Sequence, residues 1–397
     1  VGDGFSRRSI LLSGAAALAQ AGLSHDWAGA LRTRAAGPGL LQSYEVTGTS
    51  AFDLTQAHCA YVYDNAVAGL ALLAAGDTRA ASGLGDALLA AQSGDRFWHD
   101  GRLRNAYRAG PVRAGASYPL AGWWDAGQGR WLEDPYQAGT ATGVVAWAML
   151  LWIGLHRATG TPAYRQGAER AADWVERSVP ARRGYQGGFL GFEPAPQPLT
   201  WVSTEHNIDL AAAFAALGRM QAAAHARDFV ASMWNPAQGR FFTGLRPDGS
   251  VNDHSAVDAN LWPLLAAGAD QAWHAALDWI LAKHGVHPAA GDGAPREGID
   301  FNTDRDGIWL EGTAITALAC RRLGKQGAAS RLMDTLASQT APSGLIYACT
   351  TPTLTTGLST GLDANAPDFI YFRRPHIAPT AWAVLAQLNL DPFPANS

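Results

Sequence analysis

A chain of 397 residues with a formal net charge of −4 and no Lys/Arg run lacks the basic patch that nucleic-acid binding requires. At 48% hydrophobic and only 16% charged it can bury a large core, and its three cysteines, with no C-x-x-C, exclude a disulfide framework. No apolar stretch of the mature part is long enough to span a bilayer.

The first residues read as an address rather than as fold. Ser6-Arg7-Arg8-Ser9-Ile10-Leu11 resembles a twin-arginine export motif, an alanine-rich run follows, and Ala19-Gln20-Ala21 is a cleavage pattern. A basic amphipathic tail is the alternative. Residues 1–38 are therefore set apart as signal segment and linker, and residues 39–397 as one domain. Export by this route places the protein in a periplasm or outside the cell.

From about Ala51 the pattern is helical, in pairs. Tyr63-Asp64-Asn65-Ala66 opens the first pair, Thr140-Ala141-Thr142-Gly143 the second, and Glu205-His206-Asn207 the third. Val257-Asp258-Ala259-Asn260, Leu310-Glu311-Gly312-Thr313 and Ala378-Pro379-Thr380-Ala381 open the other three. The first helix of each pair is apolar nearly all round, as a buried helix is, with its polar residues at the start. The second carries Arg, Asp, Gln and Glu at helical spacing and so has a wet face. Inner then outer helix, about six times, predicts an all-α fold: an (α/α)6 toroid with Trp/Gly-rich loops over one mouth. The openings are spaced unevenly, which suits a barrel with long functional loops better than a solenoid of equal units. In a closed ring Cys59 and Cys349 could be neighbours, but buried free thiols are the expected state.

Tyr63-Asp64-Asn65-Ala66, Ser203-Thr204-Glu205-His206-Asn207-Ile208-Asp209 and Trp309-Leu310-Glu311-Gly312-Thr313-Ala314, together with the six pairs, resemble the exported bacterial members of the six-hairpin glycosidase superfamily. The resemblance spans about Ala51 to Pro392 in architecture. It implies a cleft where the inner helices begin and glycosidic substrates for most members, with lyases and epimerases on related barrels.

Parallel inner helices bring their acidic starts to one mouth. Two carboxylates, one protonated and one ionised, are the minimal machine for glycoside cleavage, and like charges in a partly desolvated site drive the two pKa values apart. Glu205 is the expected acid, with Glu311 and Asp64 the other catalytic candidates. His206, Asn207, Asn65 and Asp258 are assigned to substrate binding. Each of these also has a structural reading as a helix cap or first-turn residue. Asp209, one turn into its helix, is expected to orient its neighbours. Glu205 and Glu311 on non-adjacent helices leave room for a water, which favours inversion over retention.

Fifteen tryptophans are an unusual number, and flat aromatic rings in loops stack on sugars. Trp98, Trp123, Trp124, Tyr185 and Trp309 are the expected substrate platform. Arg373-Arg374-Pro375-His376 is read as a rim of the barrel. Asn302-Thr303-Asp304-Arg305-Asp306-Gly307 matches the opening of a calcium loop, but the twelfth position is Thr313 where a Glu is needed, so it is read as a capped turn. No zinc-spaced His pair, P-loop, nucleophile elbow or dinucleotide fingerprint occurs, and neither metal nor cofactor is expected. The expected partner is a carbohydrate substrate. A lyase using His206, Asn207 and Tyr63, an epimerase using His206 and His376, and a non-catalytic glycan-binding toroid are the alternatives. The sequence does not specify an oligomeric state.

Overall fold

The computed structural model describes residues 25–113, 115–266, 268–287, 297–359 and 368–393. The twin-arginine-like stretch lies outside them. Among the described residues twelve helices make the barrel: α1 (Trp27–Arg34), α2 (Val62–Ala74), α3 (Thr78–Gly94), α4 (Thr142–Thr159), α5 (Pro162–Ser178), α6 (Thr204–Leu217), α7 (Met220–Ser232), α8 (Val257–Leu265), α9 (Ala275–Lys283), α10 (Leu310–Arg322), α11 (Gln326–Ser338) and α12 (Ile377–Leu388). Even-numbered helices are inner and odd-numbered ones outer. The inner helices pack in the order α2-α4-α6-α8-α10-α12, and α12 returns to α2, closing the ring. No helix of the described residues is long and apolar enough to cross a membrane.

The boundary at residue 38 needs correction. α1 is the outer helix of the sixth pair: it packs on α12 and α2, with Trp27 and Leu31 buried in the core. The Trp27 indole donates to Thr340 Oγ1 at 3.0 Å. A helix of eight residues with no inner partner beside it in sequence carries no local mark of this role.

A repeated pair of tethers sets the inner helices in place. The first backbone N–H of every inner helix donates to a carbonyl in the loop leaving the outer helix of its own pair. Val62 finds Asn105, Thr142 Gly187, Thr204 Thr243, Val257 Phe301, Leu310 Ala348 and Ile377 Ser43. Ser43 follows α1, so the sixth pair obeys the rule only if α1 is its outer member. Side-chain caps are correspondingly scarce, and Ser203 on α6 makes the only one at an inner helix.

The second tether runs from the fourth residue of the helix to the loop of the preceding pair. Asn65 accepts from Leu41 N and donates to Leu41 O and Tyr61 O. Asn207 does the same with Tyr185 and Ser203. Asn260 accepts from Phe241 N, Thr313 from Ile299 N and Thr380 from Ile346 N. In α4 that position is Val145, and Asn105 of the preceding loop supplies the bond instead, accepting from Ala141 N at 2.6 Å.

All three cysteines are buried and free. Because α1 packs into the barrel, Leu31→Ala should destabilise the folded protein by about 2–5 kcal/mol, the usual cost of emptying a buried leucine site. Chemical denaturation of the two proteins measures it.

Candidate active site

Because the inner helices point one way, their first turns surround a cavity of about 240 Å³. With 100° per residue, positions two and six of a helix share a face, while position four is turned away. Position two carries Tyr63, Gly143, Glu205, Asp258, Glu311 and Ala378; all but Ala378 line the cavity. Position six carries Trp147, Asp209, Trp262 and Trp382 on α4, α6, α8 and α12. The indoles of Trp262 and Trp382 stack 6.0 Å apart, and Trp147 meets Trp262 edge-on at 5.1 Å. These rings form an aromatic floor beneath the carboxylates.

The walls are as uneven in charge as the floor is apolar. Asp64, Glu205, Asp258 and Glu311 line the cavity, and no Lys or Arg does among the described residues. Asp64, Asp258 and Glu311 are buried, while Glu205 is half-buried and makes no hydrogen bond to them. Burial raises the Glu205 carboxyl well above its ordinary range, and the charges of Asp258, Asp209 and Glu311 raise it further. Burial also lifts Glu311, to about 8, although the Tyr63 hydroxyl opposes the shift. Asp258 rises less, to about 6, because backbone N–H groups, Ala259 first among them, favour its charged form. Asp209 lies below and is raised by burial and then by Asp258, with the Trp147 indole opposing the shift.

Directed hydrogen bonds distinguish Glu311 from Glu205. The Trp382 indole donates to Tyr63 Oη at 2.8 Å, which leaves the Tyr63 proton for Glu311 Oε1. Burial keeps Tyr63 a phenol, so it remains a donor. Beside Tyr63 on α2, Asp64 Oδ2 meets His376 Nε2 at 2.8 Å, and the His376 ring stacks on Tyr44 with centroids 4.0 Å apart. His206 leans on Trp201 and on Gly143, where any Cβ would collide with its ring. Burial drops its pKa to about 4, so it is neutral at pH 7.

Of the residues singled out from sequence, Glu205, Glu311, Asp64, Asp258, His206 and Trp309 come together around this cavity. Asn65 and Asn207 do not: they sit at position four, fully buried and fully bonded as tethers. Tyr185 is in the core between Phe214 and His225. Trp98 lies under the Arg102 guanidinium, and Trp123 and Trp124 sit on a surface strand pair with Trp131 and Leu132. None of these four aromatics lines the cavity. Its aromatic walls come instead from Tyr136, Phe189, Trp201, Phe301, Phe369 and Tyr371. Arg373 bonds Gln339 and Arg374 pairs with Asp53, and neither lines the cavity, whereas His376 does.

No protein-family model matches the chain, and no curated protein does. Solved structures share the fold. A glycosidase determined in complex with glucose superposes with a TM-score of 0.58 at 13% identity, covering 98% of this chain and 100% of its own. A family 76 glycoside hydrolase from a bovine Bacteroides thetaiotaomicron strain gives 0.55 at 11% identity, covering 91% of this chain and 76% of its own. Cellobiose 2-epimerase from Bacillus thermoamylovorans gives 0.58 at 10% identity, covering 96% and 99%. The common architecture is an (α/α)6 barrel, and this chain has that fold.

The raised carboxyls have a consequence for stability. Glu311 titrates near 4.5 in the unfolded chain and near 8 when folded, so between those values the folded state holds a proton the unfolded state has lost. Its contribution is full below pH 4.5 and declines as pH rises toward 8. Glu205 acts in the same direction. Glu311→Gln and Glu205→Gln should therefore flatten the fall of Tm over this window and raise Tm at its upper end. Thermal melts at a series of pH values test this.

Proposed function

We propose that the chain is a carbohydrate-active enzyme, a glycoside hydrolase cleaving a poly- or oligosaccharide, with Glu205 as general acid and Glu311 as general base. The observation that carries this reading is the contrast between two carboxyls at one cavity. Glu205 has no hydrogen-bond donor and three like charges near it, so it keeps its proton. Glu311 receives the Tyr63 proton as a hydrogen bond, which favours its ionised form. Glu205 would protonate the glycosidic oxygen as the bond to the anomeric carbon breaks, while Glu311 takes a proton from the water that attacks that carbon. The ring of acidic groups over an aromatic floor favours the positive charge that develops on the sugar. Glu205 and Glu311 are on α6 and α10 with α8 between them, which favours inversion. The twin-arginine-like segment and Ala19-Gln20-Ala21 support action in a periplasm or outside the cell.

A uronate-cleaving lyase fits less well, because no Lys or Arg among the described lining residues could neutralise the substrate carboxylate. Epimerisation is the second reading, since His206 and His376 both line the cavity.

Digestion of a glycan panel by wild type and Glu205→Gln separates these readings. The expected products gain one water per cleavage, and the variant loses about 10²–10⁴-fold in rate, the usual worth of a general acid. Unsaturated products would mean a lyase, unchanged mass with an altered sugar an epimerase, and no turnover of any glycan a binding protein. NMR of the first-formed anomer reports inversion or retention.

The pH profile offers a finer test. Asp258 is the charge that most strengthens the hold of Glu205 on its proton. Asp258→Asn should lower the Glu205 pKa and move the alkaline limb of kcat/KM to lower pH by about 0.5 or more.

A further inference from the structure

Away from the cavity floor, the loop from Asp300 to Gly307 collects negative charge with no use in the chemistry above. Asp300, Asp304 and Asp306 each present a carboxylate oxygen, and these oxygens lie within 4.8 Å of one another. That is the largest separation that two ligands of one calcium ion reach at about 2.4 Å each. Asp304 and Asp306 are exposed, but Asp300 is wholly buried. Its Oδ1 accepts from Phe301 N at 2.6 Å, whereas its Oδ2 receives no N–H or O–H donor among the described residues, and the carboxyl group interacts with the Asp304 carboxylate instead. A buried carboxyl with one oxygen lacking a donor, set against a second carboxylate, is a costly arrangement unless something positive completes it.

No side chain of the loop does so. Its single arginine, Arg305, turns away and donates to the carbonyls of Lys283 and Ala282.

The cluster also holds a second element. Thr355 donates its N–H to Asp306 at 2.9 Å, and its hydroxyl lies within bonding distance of both Asp306 and Asp304. Thr355 belongs to the strand Thr353–Ser359, which pairs with Asp368–Phe372. That hairpin contributes Thr356, Leu358, Phe369 and Tyr371 to the cavity wall.

We propose that Asp300, Asp304 and Asp306 form a calcium site that fastens the hairpin Thr353–Ser359/Asp368–Phe372 to the loop before α10 and so fixes one wall of the cavity. This revises the expectation of no metal. The match of 302–307 to the opening of a calcium loop is met by a different third ligand: buried Asp300, two residues upstream, in place of the missing glutamate. The site is independent of the reaction the cavity performs.

The test uses the full chain after EDTA treatment and dialysis. Calcium chloride at about 1 mM should bind with one-to-one stoichiometry by calorimetry and raise Tm by about 3 °C or more. It should also slow hydrogen exchange of the 353–359 amides by about tenfold. Asp306→Asn, an exposed substitution that leaves the fold intact, should weaken binding about tenfold or more, and the near-isosteric Asp300→Asn should do the same. Absence of calcium heat and of any Tm change would overturn the proposal. So would an equal response to magnesium chloride, or calcium binding unchanged in both variants.

Discussion

Each inner helix is fastened at its first turn by two hydrogen bonds, one to the loop of its own pair and one to the loop of the pair before it, and the rest of the molecule follows from that double tether. The bonds are buried, so losing a partner leaves an unsatisfied amide, at a cost of about 1–3 kcal/mol each. Together they fix where each helix begins, the rotation at which it enters, and which neighbour it touches. The ring closes because Ser43, after α1, plays for α12 the part that Gly187 or Thr243 plays elsewhere. With position four committed to the tether, position two has no choice but to face the axis. The cavity chemistry is thus set by a packing rule.

That rule places acids where an ordinary fold would avoid them. Helix N-termini favour negative charge, which offsets part of the cost of Glu205, Asp258 and Glu311 at position two. It does not offset all of it: the carboxyls stand above an indole floor, with no lysine or arginine among the described lining residues. The imbalance persists as protons held above their usual pH. Under the proposed function this destabilisation keeps one carboxyl acidic beside another whose ionised form a phenol donor favours, the arrangement general acid–base chemistry requires.

The sequence revealed this arrangement unevenly. The six inner helices were legible because an apolar helix with a polar start is a strong local signal, and Glu205, Asp258 and Glu311 were legible as acids at those starts. Asn65 and Asn207 were misread because a polar side chain two residues later looks the same whether it faces the axis or the preceding loop. Aligning the six starts separates them, since Asn65, Asn207, Asn260, Thr313 and Thr380 recur at one position and the acids at another. The same alignment exposes Trp147, Trp262 and Trp382, four residues beyond position two and therefore on the same face. Trp98, Trp123 and Trp124 drew attention as loop aromatics, but which way a loop folds over a barrel is decided by distant contacts. α1 was hidden for a similar reason: its bond to Thr340 spans 313 residues.

His376 shows how finely the balance between two chemistries is drawn on this barrel. A histidine at the start of α12, stacked on Tyr44 and held by Asp64, faces a cavity that also contains His206. Proton exchange on a sugar carbon needs one imidazole able to take a proton and another group able to return it. His206 is poorly suited to hold one, because burial lowers its pKa to about 4. Glu205, Asp258 and Glu311 have the opposite bias, each raised above its ordinary value by burial. Glu205 and Glu311 thus hold protons that His206 does not, and only Glu311 has a phenol donor that favours its ionised form; under the function proposed above, this difference is the argument for cleavage of a glycosidic bond over inversion of a sugar carbon.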